Sequence, residues 1–354
     1  MDVLVFETSG GASVYQIPLE AFPGLSGYAY LALADNYRVL IDTGSGIGRS
    51  NDDLEEGLRK AGGLAAGSGR WQGSDFSFSD LTHVLITHAH IDHFGGLTYV
   101  CERTAAKIGV HELDLRNLTN YEERLMVVSR RLDEYLLEAG IPEPSCKELL
   151  DMYQITKSLF HSVRVDFTYE ASGMRLGPFE MLHVPGHCPG EVVIRLHDIL
   201  FSGDHVLQEI SPHQSPEQLT LSTGLDHYLK SLKALRQWAP DARLALGGHK
   251  DPILDLPGRI DQIRDLHMQR LHKVFDILSE PRTIADVSRL LFGDVHGYNA
   301  LLAVEEAGAH VEYLYQRGLL EIENLNEMTK SPTAVPIRYH CIECTKEFAS
   351  FVFS

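Results

Sequence analysis

The chain has 354 residues, 44% hydrophobic and 23% charged, a composition that fits a folded globular protein large enough for more than one structural unit. Its formal charge of −18 at pH 7 argues against non-specific nucleic-acid binding, which needs Lys and Arg to neutralise phosphates, although a local basic groove stays compatible. Five cysteines, few and odd in number, argue against a disulfide framework and for a reducing, cytoplasmic setting, and neither a secretory leader nor an apolar run of the roughly 20 residues needed to span a bilayer is evident.

Short β-like runs occupy residues 3–6, 28–34, 38–41 and 83–86. Residues 52–61 have helical composition, and the Gly- and Ser-rich stretch 62–74 predicts a loop. The run Val84-Leu85-Ile86-Thr87 leads into His88-Ala89-His90-Ile91-Asp92-His93, four candidate metal ligands within six positions. A strand that ends in such a loop can turn alternate side chains into one pocket, and imidazoles with a carboxylate suit Zn²⁺ or another first-row metal. Residues 97–107 predict a helix and 108–110 a strand. Residues 112–165 then change character. Two helices are predicted there, at 120–139 and 146–160, with Gly140 as a stop and Pro142 and Pro144 marking the turn.

Strand-like runs return at 163–169, 179–184, 192–196, 199–201 and 244–246, and 226–238 predicts a helix with Leu229, Leu232 and Leu235 on one face. Further ligand types follow strand-like runs and are flanked by glycine. These are His187 in Pro185-Gly186-His187-Cys188-Pro189-Gly190, Asp204 in Gly203-Asp204-His205, and His249 in Gly247-Gly248-His249-Lys250. Glycine lets the backbone turn sharply and leaves room beside a ligand. Five histidines and two aspartates suffice for two metals with a position open to water. Past Pro257 the chain predicts helices at 259–278, 283–291 and 300–316 and a short strand at 318–322. The tail carries Cys341-Ile342-Glu343-Cys344, half of a zinc site with no second pair, which leaves a free tail, an inter-subunit site and an incomplete site all open. No P-loop, dinucleotide fingerprint or serine nucleophile elbow competes.

The HxHxDH run, the later His, Asp and His, and the turn Val39-Leu40-Ile41-Asp42-Thr43-Gly44 together resemble the metallo-β-lactamase superfamily. The resemblance implies an α/β (α+β) fold, a four-layer αβ/βα sandwich, forming a catalytic domain over residues 1–255. Residues 112–165 would be a helical insertion, either a lid over the metal cleft or a hairpin packed away from it. His88, His90 and His187 would hold one divalent ion, Asp92, His93 and His249 the second, and Asp204 would bridge both. Zn²⁺ is the first expectation, with Fe²⁺ and Mn²⁺ also suited to a nitrogen and oxygen site. Asp42 is either a group that orients a ligand or a turn carboxylate. The zinc β-lactamases of this family carry cysteine where this chain has Asp204, so the resemblance points to the glyoxalase II, lactonase and ribonuclease Z branches. Residues 256–325 resemble the winged-helix appendage of a beta-lactamase-like endoribonuclease branch, and 326–354 form the tail. Glu305, Glu306 and Glu312 on its key helix, against the lone cation Arg317, favour packing or dimerisation over nucleic-acid contact.

Two divalent ions about 3.5–4 Å apart would lower the pKa of a water between them from 15.7 towards roughly 7, and Asp92, the expected catalytic residue, would orient the bridging hydroxide. The leading expectation is a binuclear hydrolase of a small-molecule ester, thioester or lactone. The alternative is a metal-dependent endoribonuclease or phosphodiesterase, favoured by the appendage and by the stretch from Ser202 to Pro212 but disfavoured by bulk charge. A third reading is a sensor or scaffold with a vestigial site. His83, His205 and His213 read as structural or surface residues.

Overall fold

A computed structural model describes residues 2–73 and 75–342; Cys344 of the tail lies outside the described residues. The chain divides into two compact units. The first comprises Met1–Glu122, Phe160–Pro212 and Ser231–Ile260, and the second Glu123–Leu159, His213–Lys230 and the chain from Asp261 onward.

In the first unit, β1 (Leu4–Glu7), β2 (Ser13–Phe22), β3 (Leu25–Ala34) and β4 (Tyr37–Ile41) form an antiparallel meander. Helix α1 (Ser50–Gly67) then leads to β5 (His83–Leu85), which pairs parallel with β4. Two short helices, α2 (Ile91–Phe94) and α3 (Leu97–Cys101), precede β6 (Lys107–Val110). Three helices follow: α4 (Glu112–Thr119), α5 (Tyr121–Glu138) and α6 (Glu143–Lys157). The chain returns with β7 (Phe167–Thr168), which completes a seven-stranded mixed sheet in sequence order. A second mixed sheet, of five strands, is built from β8 (Arg175–Leu176), β9 (Phe179–His183), β10 (Val192–Leu196), β11 (Ile199–Gly203) and, after α7 (Leu225–Trp238), β12 (Leu244–Gly247). Its order is β12-β11-β10-β9-β8, with β11 and β12 parallel.

The two sheets share one core. The period-2 alternation of a strand puts Tyr30, Ala32, Val39 and Ile41 on the inner face of the first sheet, where they join a buried cluster with Val192, Ile194, Leu196, Ile199, Phe201, Leu244 and Leu246 of the second.

The second unit holds most of α5 and all of α6, together with most of α8 (Leu256–Ile277), α9 (Ile284–Phe292) and α10 (Tyr298–Gln316). It ends with β13 (Leu320–Ile322), α11 (Leu325–Lys330) and β14 (Tyr339–Cys341), the two strands pairing antiparallel. Within it the predicted insertion meets the C-terminal helices directly. Tyr135 donates to the Val304 carbonyl at 3.1 Å, and the Ala285 amide to the Ala139 carbonyl at 2.8 Å. Helix α9 starts on a capping box in which Thr283 and Asp286 each satisfy the other's backbone N–H. Among the described residues no helix is long and apolar enough to cross a membrane.

Several elements differ from the sequence expectation. Strand β2 was not predicted because Pro18 interrupts it, although Tyr15, Ile17, Leu19 and Ala21 alternate with Gln16, Pro18 and Glu20. Pro18 is tolerated because β1 pairs only with Ser13–Gln16, which leaves β2 as an edge at the proline. The predicted loop at 62–74 is helical as far as Gly67. Gly62 is there for contact, since a Cβ on it would lie 2.4 Å from Cβ and 2.6 Å from N of Phe76. The helix predicted over 97–107 stops at Cys101, and the strand over 163–169 shortens to Phe167–Thr168. Pro144 belongs to the first turn of α6, where its missing N–H removes no helical bond.

Gly62→Ala tests that contact. Helix propensity alone favours Ala by about 1 kcal/mol, but overpacking against Phe76 costs about 1–3 kcal/mol. The expected result in urea unfolding is a lower midpoint; an unchanged or raised midpoint would contradict the packing.

Candidate metal centre

The candidate ligands sit at strand ends in the first unit. His88 and His90 lie in the loop after β5, and Asp92 and His93 on α2. His187 lies between β9 and β10, while Asp204 directly follows β11 and His249 closely follows β12. The structure brings all seven side chains into one pocket. Donor atoms of His88, His90 and His187 lie within 4.8 Å of one another, as do those of His88, His93 and Asp204, and those of Asp92, His93 and His249. Asp204 touches both histidine groups. Its Oδ1 is 3.4 Å from His93 Nε2, and its Oδ2 is 3.6 Å from His249 Nε2 and 4.0 Å from His187 Nε2. Asp92 Oδ2 lies 3.1 Å from His249 Nε2.

The far sides of the His93 and His249 rings are anchored, which decides which nitrogen faces inward. His93 Nδ1 meets Asp42 Oδ2 at 2.8 Å, and His249 Nδ1 meets the Ser26 carbonyl at 2.7 Å. A proton on each Nδ1 leaves Nε2 free to bind a metal. Asp42 also accepts from the Thr87 backbone N–H and hydroxyl, both at 2.8 Å. Asp42 fits both readings: it lies in the turn after β4, and its carboxylate joins His93 to the stem of the His88 loop.

Charge in the pocket is balanced internally. Burial works against a charged His93 ring, but Asp204 and Asp42 outweigh it and hold its pKa well above the usual histidine value. Burial also opposes charge on His249, yet Asp204 and Asp92 raise it to about 9. Burial likewise opposes charge on Asp92 and Asp204, but the surrounding imidazoles hold both carboxyls far below the usual carboxylate range. His88 behaves oppositely: burial and neighbouring imidazoles push it well below the usual value, so it is neutral. Its Nε2 is buried with no hydrogen-bond partner among the described residues. A buried acceptor of that kind is costly unless something fills it, and a nitrogen and oxygen donor set suits a divalent cation. The residues present therefore fit a bound metal.

Two other histidine clusters are held by protein partners, although His111 Nε2 in one of them is also buried without a hydrogen bond among the described residues, 3.3 Å from Glu170 Oε1. In the second unit, His267 and His310 join Glu306, but Arg270 and the Gln214 amide occupy both Glu306 oxygens, and His310 Nε2 lies 3.2 Å from His267 Nδ1. Near α4, Glu112 of the His111, Glu112 and Glu170 group already accepts from the Glu170 and Ala171 amides. His205 is fully buried, and burial brings it down to about 3, so it is a neutral core residue at physiological pH. His213 pairs with Glu305 at 2.9 Å, and His83 is half-buried beside Tyr37. Cys188 adjoins His187, but its thiol turns to Asp114 at 3.4 Å, and burial raises its pKa well above the usual value.

Glu191, which the sequence reading missed, also supports the site. Glu191 is fully buried, and its Oε1 accepts the Asp204 backbone N–H at 2.9 Å. Burial and the Asp204 charge push its carboxyl well above the usual range. It holds the Asp204 backbone in place. Its place after Gly190 carries no sequence signal for that role.

Comparison with known proteins agrees with this geometry. Residues 22–249 match the metallo-beta-lactamase superfamily. The chain is 26% identical over 249 residues to the probable metallo-hydrolase YqjP of Bacillus subtilis (strain 168), covering 67% of this chain and 75% of that protein. Its structure is similar to that of a metallo-beta-lactamase family protein from Thermus thermophilus, with a TM-score of 0.70 and 25% identity, covering 93% of this chain and 98% of that one. A beta-lactamase domain protein from Burkholderia ambifaria shares the fold at a TM-score of 0.67 and 22% identity, covering 96% and 94%.

Ion uptake should release protons. With His249 held at about 9 and His93 also raised, both rings are protonated at pH 7 without metal, and an incoming ion must displace those protons. Release should fall, and affinity level off, as pH rises through about 9. Calorimetry in buffers of different ionisation heat measures this; heats at pH 7 that do not depend on the buffer would contradict it. Asp42→Asn should weaken metal binding by roughly 10–100-fold through a loosened His93, and wild-type affinity in that variant would show that the contact is idle.

Proposed function

We propose that this chain, which belongs to the metallo-β-lactamase superfamily, is a binuclear metal-dependent hydrolase acting on a small ester, thioester or lactone. The observation that carries the reading is the position of Asp204, whose carboxylate reaches the His88, His90 and His187 group on one side and the Asp92, His93 and His249 group on the other. A carboxylate with two free lone-pair sets is suited to tie two cations together. Zn²⁺ fits the donor set, as do Fe²⁺ and Mn²⁺. Bound there, the ions would supply an acidified water and polarise the scissile carbonyl.

The chain's own residues would do the rest. Asp92 stays ionised beside His249 and would orient the attacking water. Asp42 and the Ser26 carbonyl fix ring direction, so that little reorganisation accompanies the reaction. The oxygen donor at Asp204, in place of a thiolate, supports a reading outside the antibiotic-hydrolysing branch.

We read α8–α10 with β13 and β14 as a winged-helix-like appendage that serves packing. The acidic residues of α10 are engaged within their own unit. Glu306 is buried against Arg270, and Glu312 accepts from the Glu217 and Gln218 amides. A helix committed in this way offers no cationic face to a phosphate backbone.

The test is a panel of thioesters, aryl esters and lactones, with bis(p-nitrophenyl) phosphate and single-stranded RNA as further arms, run on metal-loaded protein. Turnover of an acyl substrate that disappears in His88→Ala and on chelation is expected. Protein holding two ions that cleaves no acyl substrate, or cleaves only the phosphodiesters, would overturn the reading.

A further inference from the structure

We infer that Asp114 is the positioning residue that locks together the two loops supplying His88, His90 and His187. The inference rests on the proposal above that these three hold an ion. Asp114 lies in the first turn of α4 and is fully buried. Its Oδ2 accepts the Ala89 backbone N–H at 2.9 Å, and its Oδ1 accepts the Gly190 backbone N–H at 3.1 Å. Ala89 is the residue between His88 and His90, while Gly190 closes the turn that carries His187. The Cys188 thiol, next to His187, points at the same carboxylate, 3.4 Å from Oδ2 and 3.5 Å from Oδ1. Asn117 Nδ2 holds Oδ1 from the next turn of the helix at 3.2 Å.

Of the donors from the two loops to this carboxylate, Ala89 and Cys188 adjoin candidate ligands, and Gly190 closes the same turn as His187. The stems of the loops are joined separately, by the Val192 amide donating to the Thr87 carbonyl at 2.9 Å. Asp114 joins their tips. Gly190 is part of the device: a Cβ on it would lie 2.6 Å from Asp114 Cγ and 2.8 Å from Asp114 Cβ. The room that the glycine leaves beside His187 is filled by Asp114. An ionised carboxylate offers only acceptors, which suits two converging N–H groups. An amide of the same size turns one of the two oxygens into a donor and must release one loop. Ligands no longer pre-placed relative to one another bind metal more weakly, and partners of this kind are worth about 10–100-fold in affinity.

The experiment titrates Zn²⁺ into the full-length chain against a chromophoric chelator and records the absorption spectrum of the Co²⁺-substituted protein. Asp114→Asn and Gly190→Ala disturb the contact from opposite sides. Leu118→Ala removes a fully buried leucine from the same helix without touching the carboxylate. In Asp114→Asn and Gly190→Ala, the affinity of one of the two bound ions is expected to fall roughly 10–100-fold, with altered Co²⁺ bands. Leu118→Ala is expected to lower thermal stability with both affinities unchanged. Asp114→Asn with wild-type affinities and bands overturns the inference, and so does Leu118→Ala weakening metal as much as Asp114→Asn. Should Asp114→Asn not fold, Gly190→Ala and hydrogen exchange on the metal-free wild type decide: matched protection of the Ala89 and Gly190 amides supports the link, and free exchange of either overturns it. Wild type that binds no metal sinks the proposed function as well; wild type that binds metal with Asp114→Asn unaffected sinks only the role of Asp114.

Discussion

Two carboxylates and five imidazoles crowded into a buried pocket are unfavourable unless each charge meets its opposite, because desolvation of an ion costs several kcal/mol even after relaxation. Asp204 is the group on which that balance turns. It lies 3.4–4.0 Å from three different imidazoles and contributes to the raised pKa values of His93 and His249. Protons keep the metal-free pocket neutral enough to fold, and a divalent ion can take their place at the same nitrogens. A cluster of this composition is costly as a purely structural feature, since apolar residues of similar volume would often be as stabilising.

The scaffold makes the cluster affordable by placing it where strands end. Parallel neighbours β4 and β5 finish at the same edge, as do β11 and β12, so Asp42, the His88 loop, Asp204 and His249 emerge together. The turns there demand unusual backbone: Asp42 has φ of 59° and Gly203 has φ of 51°, in the left-handed region. Around the candidate ligands stands a ring of groups that touch no substrate in this account. Asp42, Ser26, Glu191 and Asp114 fix rings or backbone, and together they restrict the ligands before any ion arrives.

The candidate ligands that the structure brings together were legible in the sequence because each is a chemically marked residue at a marked place, most of them at a strand end beside glycine. Their supports were not. Asp114 and Glu191 act on backbone N–H groups, which every residue has, so no residue type at Ala89, Gly190 or Asp204 betrays the partner. Asp42 was half legible, since its turn resembled a family motif but the contact with His93 spans 51 positions. Helix and strand errors share a similar cause: Gly62 looks like a loop residue until Phe76 is seen against it, and Pro18 looks like a break until the short reach of β1 is known. The union of the helices from Glu123 to Leu159 with the C-terminal helices depends on contacts such as Tyr135 with Val304, which no local pattern encodes.

The most direct measurement is anomalous X-ray diffraction at the absorption edge of the bound metal, on crystals of the full-length chain. Two peaks are expected, one among His88, His90 and His187 and one among Asp92, His93 and His249, with the Asp204 carboxylate between them. A single peak, or density outside bonding reach of His187 or His249, would contradict the binuclear centre.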